Sequence, residues 1–217
     1  IGPSGCGKST LATTIAGFVP PASGAVLVDG DSVLSPAPDV GMVFQTTDAL
    51  FDWLTARQNV EYGPRMRGVG PAERRKIADR YLSLVGLKHA ADKYPRQISG
   101  GMRQRVQLAR VLATEPRLIL MDEPFGALDA QTREVMQVEL DRIWRATGCT
   151  ILFVTHDLNE ALLLADRVIT MTAGPNAGLK SIQEINLPRP RDVVSEKAIG
   201  LLRSMHTDIS EEVHRIL

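Results

Sequence analysis

The first ten residues of the chain combine residue types at a spacing suited to holding phosphate groups. They fit the pattern G-x-x-x-x-G-K-[ST], with Gly2, Gly7, Lys8 and Ser9 at its fixed positions. Glycine lets backbone N–H groups turn inward around an anion, and a helix starting near Lys8 points its positive dipole end at the same oxygens. Lys8 adds a full charge and the Ser9 hydroxyl can bind Mg²⁺, so the pattern predicts a nucleoside triphosphate site without separating ATP from GTP. The predicted binding residues are Gly2, Pro3, Ser4, Gly5, Cys6, Gly7, Lys8, Ser9 and Thr10.

Two adjacent carboxylates, Asp122 and Glu123, follow an apolar run at residues 118–121. The run predicts a buried parallel strand, and charged side chains at its end are costly to bury unless a metal or a partner compensates them. Asp122 is suited to hold Mg²⁺ directly or through water, whereas Glu123 lies one residue further out, where it can polarise an attacking water. Two exposed carboxylates in a turn are the alternative interpretation.

Gln45 and His156 also come directly after predicted strands, at residues 40–44 and 150–154. Sheets of this kind bind ligands at the carboxyl ends of their strands, so both side chains are expected at the edge that carries the acidic pair and the phosphate loop. A plain strand-end glutamine and a structural histidine are the alternatives when each residue is taken alone. Together, these strand ends predict a site for nucleotide hydrolysis.

The sequence Ser99-Gly100-Gly101 opens another predicted helix. Ser99 can cap the helix, and two glycines let a ligand approach the first amide groups, so this is a second candidate anion-binding terminus. A purely structural cap is the alternative, although a cap by itself needs neither glycine.

The remaining pattern predicts the elements that position these groups. Predicted helices cover residues 9–18, 58–66, 71–85, 101–114, 132–146, 157–165 and 198–216. Predicted strands cover residues 24–30, 40–44, 118–121, 150–154, 167–172 and 180–186. The order indicates an α/β fold with a mainly parallel sheet, a small antiparallel layer and a helical insertion. We expect a nucleotide-binding core at 1–45 and 115–190, a helical subdomain at 46–114, and at 191–217 a C-terminal helix that packs on its own domain.

Two aromatic side chains, Phe51 and Trp53, fall in the segment that leads into the helical insertion. Core packing is the expected role of each. A groove that receives a helix of a partner protein is the alternative.

The composition is that of an ordinary globular chain. Apolar residues make up 44% and charged residues 23% of the 217 residues, which suffices for a full core. Lys+Arg and Asp+Glu each number 25, so no basic field indicates a nucleic acid partner. Cys6 and Cys149 form no disulfide framework, which favours a reducing, cytosolic compartment. Since the sequence has no apolar run of about 20 residues, attachment to a membrane would need another subunit.

Taken in order, these motifs resemble the ATP-binding subunits of ABC transporters along the whole chain. The similar motifs are Walker A at Gly2 to Ser9, the Q-loop at Gln45, the signature at Ile98 to Met102, Walker B at Leu118 to Glu123, the D-loop at Ala127 to Asp129 and the switch histidine at His156. Six motifs in this order are specific to the family, whereas any one of them alone is not. The resemblance implies the ABC ATPase fold, a P-loop NTPase fold, with ATP and Mg²⁺ as cofactors.

The resemblance also implies how the groups work together. A head-to-tail dimer would close over two ATP molecules, with the phosphate loop of one copy facing Ser99, Gly100 and Gly101 of the other. Glu123 would handle the attacking water, His156 would contact the γ-phosphate, and Gln45 would join the metal and water to the helical lobe. The implied metal ligands are Ser9, Gln45 and Asp122, and Asp129 is implied among the nucleotide contacts.

Partners follow from the same resemblance. Transmembrane permease subunits would dock near Gln45, and a periplasmic or lipoprotein solute-binding protein would act indirectly, which implies a peripheral protein on the cytoplasmic face of the membrane. The segments at 50–55, 99–105 and 187–191 are most similar to importer subunits for nitrate, sulfonates, taurine and similar small solutes. A soluble ABC-type ATPase acting on nucleic acid or ribosomes is the alternative function. A kinase or GTPase with the same loop would leave Ser99-Gly100-Gly101 and His156 without a role.

The chain departs from the family pattern at two places. Met102 stands where many signatures have glutamine, a change we expect to be tolerated because Ser99 and the glycine amides make the main phosphate contacts. The strand and the adenine-stacking aromatic residue expected before Ile1 are absent from the sequence, so we expect these 217 residues alone to fold poorly.

Overall fold

The computed structural model describes residues 1–44, 49–126, 128–174 and 176–215. Gln45, Ala127 and Ile216, the last residue of the predicted terminal helix, therefore lie outside the described residues. The chain divides into two compact units, one formed by Ile1–Thr13 with Phe153–Leu217 and the other by Thr14–Leu152.

The described elements form a mixed α/β chain, as the sequence predicted. The helices are α1 (Lys8–Ile15), α2 (Ala56–Met66), α3 (Pro71–Leu84), α4 (Gly100–Leu112), α5 (Ala130–Thr147), α6 (Leu158–Leu164) and α7 (Glu196–His214), with short 3₁₀ turns at Lys88–Ala90 and Pro95–Gln97. The strands are β1 (Leu27–Val28), β2 (Asp31–Ser32), β3 (Val40–Val43), β4 (Leu118–Asp122), β5 (Thr150–Val154), β6 (Arg167–Met171) and β7 (Leu179–Glu184).

The Thr14–Leu152 unit contains the parallel strands. β3 and β4 pair in parallel, from Val40 opposite Leu118 to Val43 opposite Met121, and the order within the sheet is β3-β4-β5. Residues 119–121 of β4 are almost fully buried, as expected of a strand covered on both faces. β1 and β2 form a separate antiparallel pair of two residues each, much shorter than the strand predicted at 24–30.

The predicted helical insertion is present in the same unit. α2 begins at Ala56, two residues earlier than predicted, because Thr55 and Gln58 form a reciprocal capping box at its start. The buried side chain of Asn59 supports the preceding turn by donating to the carbonyl groups of Phe51 and Leu54 at 3.1 Å. α3 begins with Pro71 at its first position, where proline costs no hydrogen bond.

Two sequence-based expectations in this unit were wrong. Trp53 does not pack in the core, because 73% of it is exposed. Phe18 does not lie on a helix, because α1 ends at Ile15, and Phe18 is 54% exposed.

The other unit has its own apolar core. β6 and β7 pair antiparallel, with Ile169 opposite Ile182. The buried cluster consists of Ala161, Leu162, Val168, Ile185, Ala198 and Met205. Since Ala198 and Met205 belong to α7, the prediction that the terminal helix packs on its own domain is confirmed.

A buried carboxylate fixes α7 to the β6–β7 hairpin. Glu212 accepts a hydrogen bond from the backbone N–H of Ala173 at 2.9 Å, and Lys180 and Arg215 lie 3.0 and 2.8 Å from its other oxygen. The side chain of Glu212 is 1% exposed. The hydrogen bond from Ala173 lowers the pKa of Glu212, and the hydrogen bond from Lys180 lowers it further.

Replacing Glu212 by Gln should make the stability of the protein less dependent on pH. Because the folded-state pKa of Glu212 lies below its ordinary value of 4.5, its contribution is fully present above that value and is lost as the pH falls through the folded-state pKa. We therefore expect the difference in free energy of unfolding between wild type and Glu212→Gln to be constant well above pH 4.5 and to shrink as the pH falls below that value. Urea denaturation followed by circular dichroism at several pH values measures this difference.

Glu211→Gln is the matched control. Glu211 contacts the same lysine at 2.8 Å, but its side chain is 58% exposed, so its removal should change the stability little. A Glu212→Gln difference that stays constant down to pH 3 would refute the role given to the buried carboxylate.

Candidate functional site

The phosphate loop is closed by its own lysine. Lys8 is the first residue of α1, and its ammonium donates to the carbonyl oxygens of Gly2 at 2.9 Å and Pro3 at 2.8 Å. The backbone N–H of Cys6 donates to the carbonyl of Pro3 at 3.4 Å. These bonds hold the ammonium over the loop at the start of a helix, where both the charge and the helix dipole attract phosphate.

The packing beneath the loop explains why residue 2 is glycine. A Cβ atom there would lie 2.9 Å from the sulfur of Cys6 and 3.2 Å from the Cβ of Met171. The thiol of Cys6 is buried under the loop, at 3% exposure of the residue, and the N–H of Met171 donates to the carbonyl of Ile1 at 3.0 Å. The loop is thus joined directly to the end of β6. Ser4, Gly5, Ser9 and Thr10 are exposed.

Asp122 ends β4 with an oxygen that suits a metal. Its Oδ1 atom is buried and accepts no hydrogen bond from the described residues. A buried carboxylate oxygen without a donor costs free energy, which a cation or a metal-bound water would offset. The residues present therefore fit Mg²⁺, which proteins usually bind through one or two carboxylates together with substrate phosphates.

Glu123 has an unusual backbone conformation. Its φ angle is +43°, in the left-handed region that residues other than glycine rarely adopt, and its carbonyl accepts a hydrogen bond from the N–H of Gly126 at 3.1 Å. The chain therefore turns sharply after Asp122, and Glu123 does not continue the strand. Such strained residues concentrate at functional sites.

The register of the parallel strands brings two of the predicted strand ends together. Val43 lies opposite Met121, so Phe44 and Asp122 leave the sheet at the same edge. Gln45 follows Phe44 in the sequence but lies outside the described residues. Its predicted roles as catalytic residue and metal ligand stay predictions.

The two glycines of the signature helix differ in what they do. Ser99 caps α4 by accepting a hydrogen bond from the N–H of Met102 at 3.3 Å. A Cβ at Gly100 would meet nothing closer than 4.0 Å, whereas a Cβ at Gly101 would lie 2.6 Å from the Cγ2 atom of Thr132. Gly101 is therefore required by packing of α4 on α5, a role separate from the Ser99 cap that the sequence analysis did not consider. Gly100 leaves the helix terminus open to a ligand.

Asp129 caps the neighbouring helix α5. Its carboxylate accepts hydrogen bonds from the N–H of Thr132 at 3.0 Å and from the hydroxyl of Thr132 at 2.7 Å. The hydroxyl bond is the main cause that lowers the pKa of Asp129. Thr132 thus lies against Gly101 and is hydrogen-bonded to Asp129, and the sequence did not predict this shared contact. The predicted nucleotide contact of Asp129 stays a prediction.

His156 is exposed and lies in a turn that its neighbours hold on both sides. The hydroxyl of Thr155 donates to the buried carboxylate of Glu160 at 2.6 Å and accepts a hydrogen bond from the N–H of Asp157 at 2.9 Å. Asp157 caps α6 through the N–H groups of Asn159 and Glu160. Thr155, Asp157 and Glu160 therefore fix the backbone that carries the histidine.

Each unit thus contains part of the predicted site. The Ile1–Thr13 and Phe153–Leu217 unit carries the phosphate loop and the histidine turn, and the Thr14–Leu152 unit carries the acidic pair and the signature helix. The meeting of these groups around one triphosphate stays a prediction.

The loop, the strand-end carboxylates and the glycine-led helix define a P-loop nucleotide-binding protein. Residues 1–126 match the family model described as ABC transporter. The chain belongs to this family, whose ATP-binding subunits hydrolyse ATP to power transport.

The relatives are ATP-binding proteins from archaea and bacteria. An uncharacterized ABC transporter ATP-binding protein of Methanocaldococcus jannaschii is 46% identical over 217 residues, which is all of this chain and 80% of that protein. The bicarbonate transport ATP-binding protein CmpC of Synechococcus elongatus is 48% identical over 94% of this chain, and the nitrate import ATP-binding protein NrtC of the same organism is 51% identical over 88%. The chain spans 31% of CmpC and 29% of NrtC.

Within the described residues, no helix is both long enough and apolar enough to cross a membrane.

Replacing Gly101 by Ala should destabilise the protein by about 1–3 kcal/mol, because the new methyl group overpacks the contact with Thr132. The second substitution Thr132→Ser should restore most of this loss, since it removes Cγ2 and keeps the hydroxyl that donates to Asp129. Chemical denaturation of the single and double variants measures both effects. Gly100→Ala is the matched control, with an expected change within about 0.5 kcal/mol. Equal losses for the two glycines would contradict the packing assignment.

Proposed function

We propose that the chain binds ATP with Mg²⁺ and hydrolyses it to drive import of a small solute. The solute class best supported is a small anion, nitrate or bicarbonate, with sulfonates and taurine as related possibilities. The observation that carries the proposal is the lysine-closed phosphate loop, in a chain about half identical to relatives named for nitrate and bicarbonate transport. The alternative, a soluble ATPase acting on nucleic acid or ribosomes, has no support from these relatives or from the balanced charge of the chain.

The residues of one chain would divide the chemistry among them. Lys8 and the loop N–H groups bind the phosphates, and Ser9 and Asp122 would hold Mg²⁺ together with Gln45. Bound Mg²⁺ would neutralise negative charge on the phosphate oxygens. Glu123 accepts the proton of the attacking water, and His156 donates a hydrogen bond to the γ-phosphate.

A second copy of the chain would complete each site. The open approach to Gly100 at the capped start of α4 supports this, because it leaves N–H groups of a helix terminus accessible to an anion. In a head-to-tail dimer, Ser99, Gly100 and Gly101 of one copy would contact the ATP held by Lys8 of the other. ATP then closes the dimer and hydrolysis opens it.

An exposed aromatic patch supports contact with a permease. The ring of Phe51 packs at a tilted angle against those of Trp53 and Tyr62, with ring centroids 5.2 and 4.6 Å apart, and the guanidinium of Arg110 lies 5.3 Å from the ring centre of Phe51. Trp53 is 73% exposed, and Met66 in α2 is 69% exposed. Exposed aromatic side chains beside an arginine are typical of protein interfaces. The patch would receive a helix of the transmembrane subunit, which places the protein at the cytoplasmic face of the membrane. A solute-binding protein outside would choose the solute.

Glu123→Gln tests the proposed reaction. The substitution keeps the shape of the side chain but removes the base, so ATP turnover should fall by about 10²–10⁴-fold while ATP binding survives. Phosphate release, measured with the full-length protein, and ATP-dependent uptake of labelled nitrate or bicarbonate into vesicles containing its permease should fall together.

The same variant should accumulate as an ATP-bound dimer on size-exclusion chromatography. Glu134→Gln, at an exposed position of α5, is the control and should leave turnover and uptake unchanged. A Glu123→Gln protein that turns over ATP at the wild-type rate would overturn the proposal.

Lys8→Ala should weaken nucleotide binding itself. The ammonium is a charged donor at a helix terminus, so its loss should raise the dissociation constant for ATP by about 10- to 100-fold. Isothermal titration calorimetry measures the constant, and the melting temperature shows whether the loop remains folded without its bonds to Gly2 and Pro3. Lys88→Ala, at an exposed lysine, is the control. Unchanged affinity for ATP in a folded Lys8→Ala protein would contradict the role of this lysine.

A further inference from the structure

We propose that Arg189 and Arg191 are positioning residues for His156, which they hold in place by clamping the opposite end of α6. The inference rests on the proposed function, because that function assigns His156 to the γ-phosphate. In the sequence, the segment 187–191 was singled out only for its similarity to importer subunits, and in the structure it lies between β7 and α7.

Both arginines donate to the carbonyl groups that end α6. Arg191 Nη1 lies 2.8 Å from the carbonyl oxygen of Leu162 and 3.0 Å from that of Leu163. Arg189 Nη2 lies 2.6 Å from the carbonyl oxygen of Leu164. The last three carbonyls of the helix therefore receive donors from a segment about 25 residues away in the sequence.

One carboxylate connects the two guanidinium groups. Asp166 Oδ1 lies 2.8 Å from Arg189 Nη2 and 3.4 Å from Arg191 Nη2. The side chain of Arg191 is 1% exposed and that of Arg189 is 14% exposed, so both guanidinium groups are largely shielded from water, whereas the side chain of Asp166 is 64% exposed. The cluster forms a clamp, defined as Arg189, Arg191 and Asp166.

The clamp provides hydrogen-bond donors and positive charge at the carbonyl end of α6, which has no basic residue in its own last turn. The helix has seven residues, too few to be stable by propensity alone, and its last turn contains no basic residue. The final carbonyls of a helix have no partner within the helix and carry its negative dipole end. Two guanidinium groups satisfy these oxygens and complement the dipole at once.

The other end of α6 carries the histidine turn. Asp157 caps the helix, and Glu160 in its first turn accepts a hydrogen bond from the hydroxyl of Thr155. His156 lies between Thr155 and Asp157, which are both held by these bonds. Seven helical residues span about 10 Å, so only this short helix separates the clamp from the histidine turn.

Packing of α6 on the apolar core couples the position of its carbonyl end to the position of the histidine turn. Ala161 and Leu162 are buried in the apolar cluster, and Leu158 packs against the same cluster. If the carbonyl end loses its donors, the helix can tilt or unwind on this core, and the turn before Leu158 moves with it. Misplacement of a catalytic group by about 1 Å can cost up to a hundredfold in rate.

A double-mutant cycle tests the inference in the full-length protein. Arg191→Met and Arg189→Met keep the aliphatic stems and remove the donors. Each should lower kcat for ATP hydrolysis by about tenfold and leave the dissociation constant for ATP within about twofold. In a His156→Ala background the same substitutions should lower kcat by less than about twofold, because the group that they position is gone. Arg203→Met, at an exposed arginine of α7, is the matched control and should change nothing.

A second readout needs no turnover. The chain has four histidines, so the imidazole signals in a ¹H–¹⁵N NMR spectrum are few, and the His156→Ala variant assigns the one of interest. In the nucleotide-free protein, Arg189→Met should shift or broaden the His156 signal and leave the other three histidine signals unchanged.

The outcomes separate this inference from the proposed function. If wild-type protein hydrolyses ATP and His156→Ala slows it, but the arginine variants remain at the wild-type rate, the clamp does not position the histidine. Equal losses of kcat with and without His156 would show a merely structural role and would also overturn the inference. If the wild type hydrolyses no ATP, the proposed function fails and this inference fails with it. Should Arg191→Met not fold, the more exposed Arg189→Met carries the test.

Discussion

The unpaired N–H groups in the first turn of a helix are the physical feature on which this protein is built. Each helix leaves such donors at its start, and they must be satisfied by a side chain, by water or by a bound anion. In α5 Asp129 satisfies one of them, in α6 Asp157 satisfies two, and in α4 Ser99 satisfies one. In α1 the residue before the helix is Gly7, which has no side chain for capping. The helix that begins with the lysine therefore has no side chain before it to cap its first N–H groups, which leaves these donors available to a ligand.

The structure links this use of helix starts to packing. Gly101 lets the start of α4 approach α5 until it touches Thr132, and Thr132 is in turn held by the α5 cap, Asp129. One contact thus sets the spacing of two helix starts, so the open amide groups near Gly100 have a defined position. The two adjacent glycines of the signature therefore have different roles. Gly101 allows the packing of α4 on α5, and Gly100 leaves the start of α4 accessible to a ligand.

Much of the fold and of the candidate site could be predicted from local sequence. The phosphate loop, the buried strand before Asp122 and the Ser99 cap depend on neighbouring residues, so pattern and spacing sufficed to find them. Thr55-x-x-Gln58 was also readable as a capping box and would have placed the start of α2 correctly. By contrast, the exposure of Trp53 depends on which side of the turn faces the core, and its apolar type alone predicted the wrong answer.

What the sequence could not predict are contacts between distant segments. The family match ends at residue 126, before the histidine turn and before the two arginines of the clamp. Proline and arginine in alternation predict an irregular segment, but they do not tell which carbonyl groups the arginines reach, because that depends on how the chain after β7 returns to the end of α6. A seven-residue helix without its own basic last turn is the local sign that donors must come from elsewhere. The accuracy with which His156 is placed is therefore a property of the tertiary structure, and a sequence that kept every recognised motif but lost the clamp would keep the histidine and lose its position.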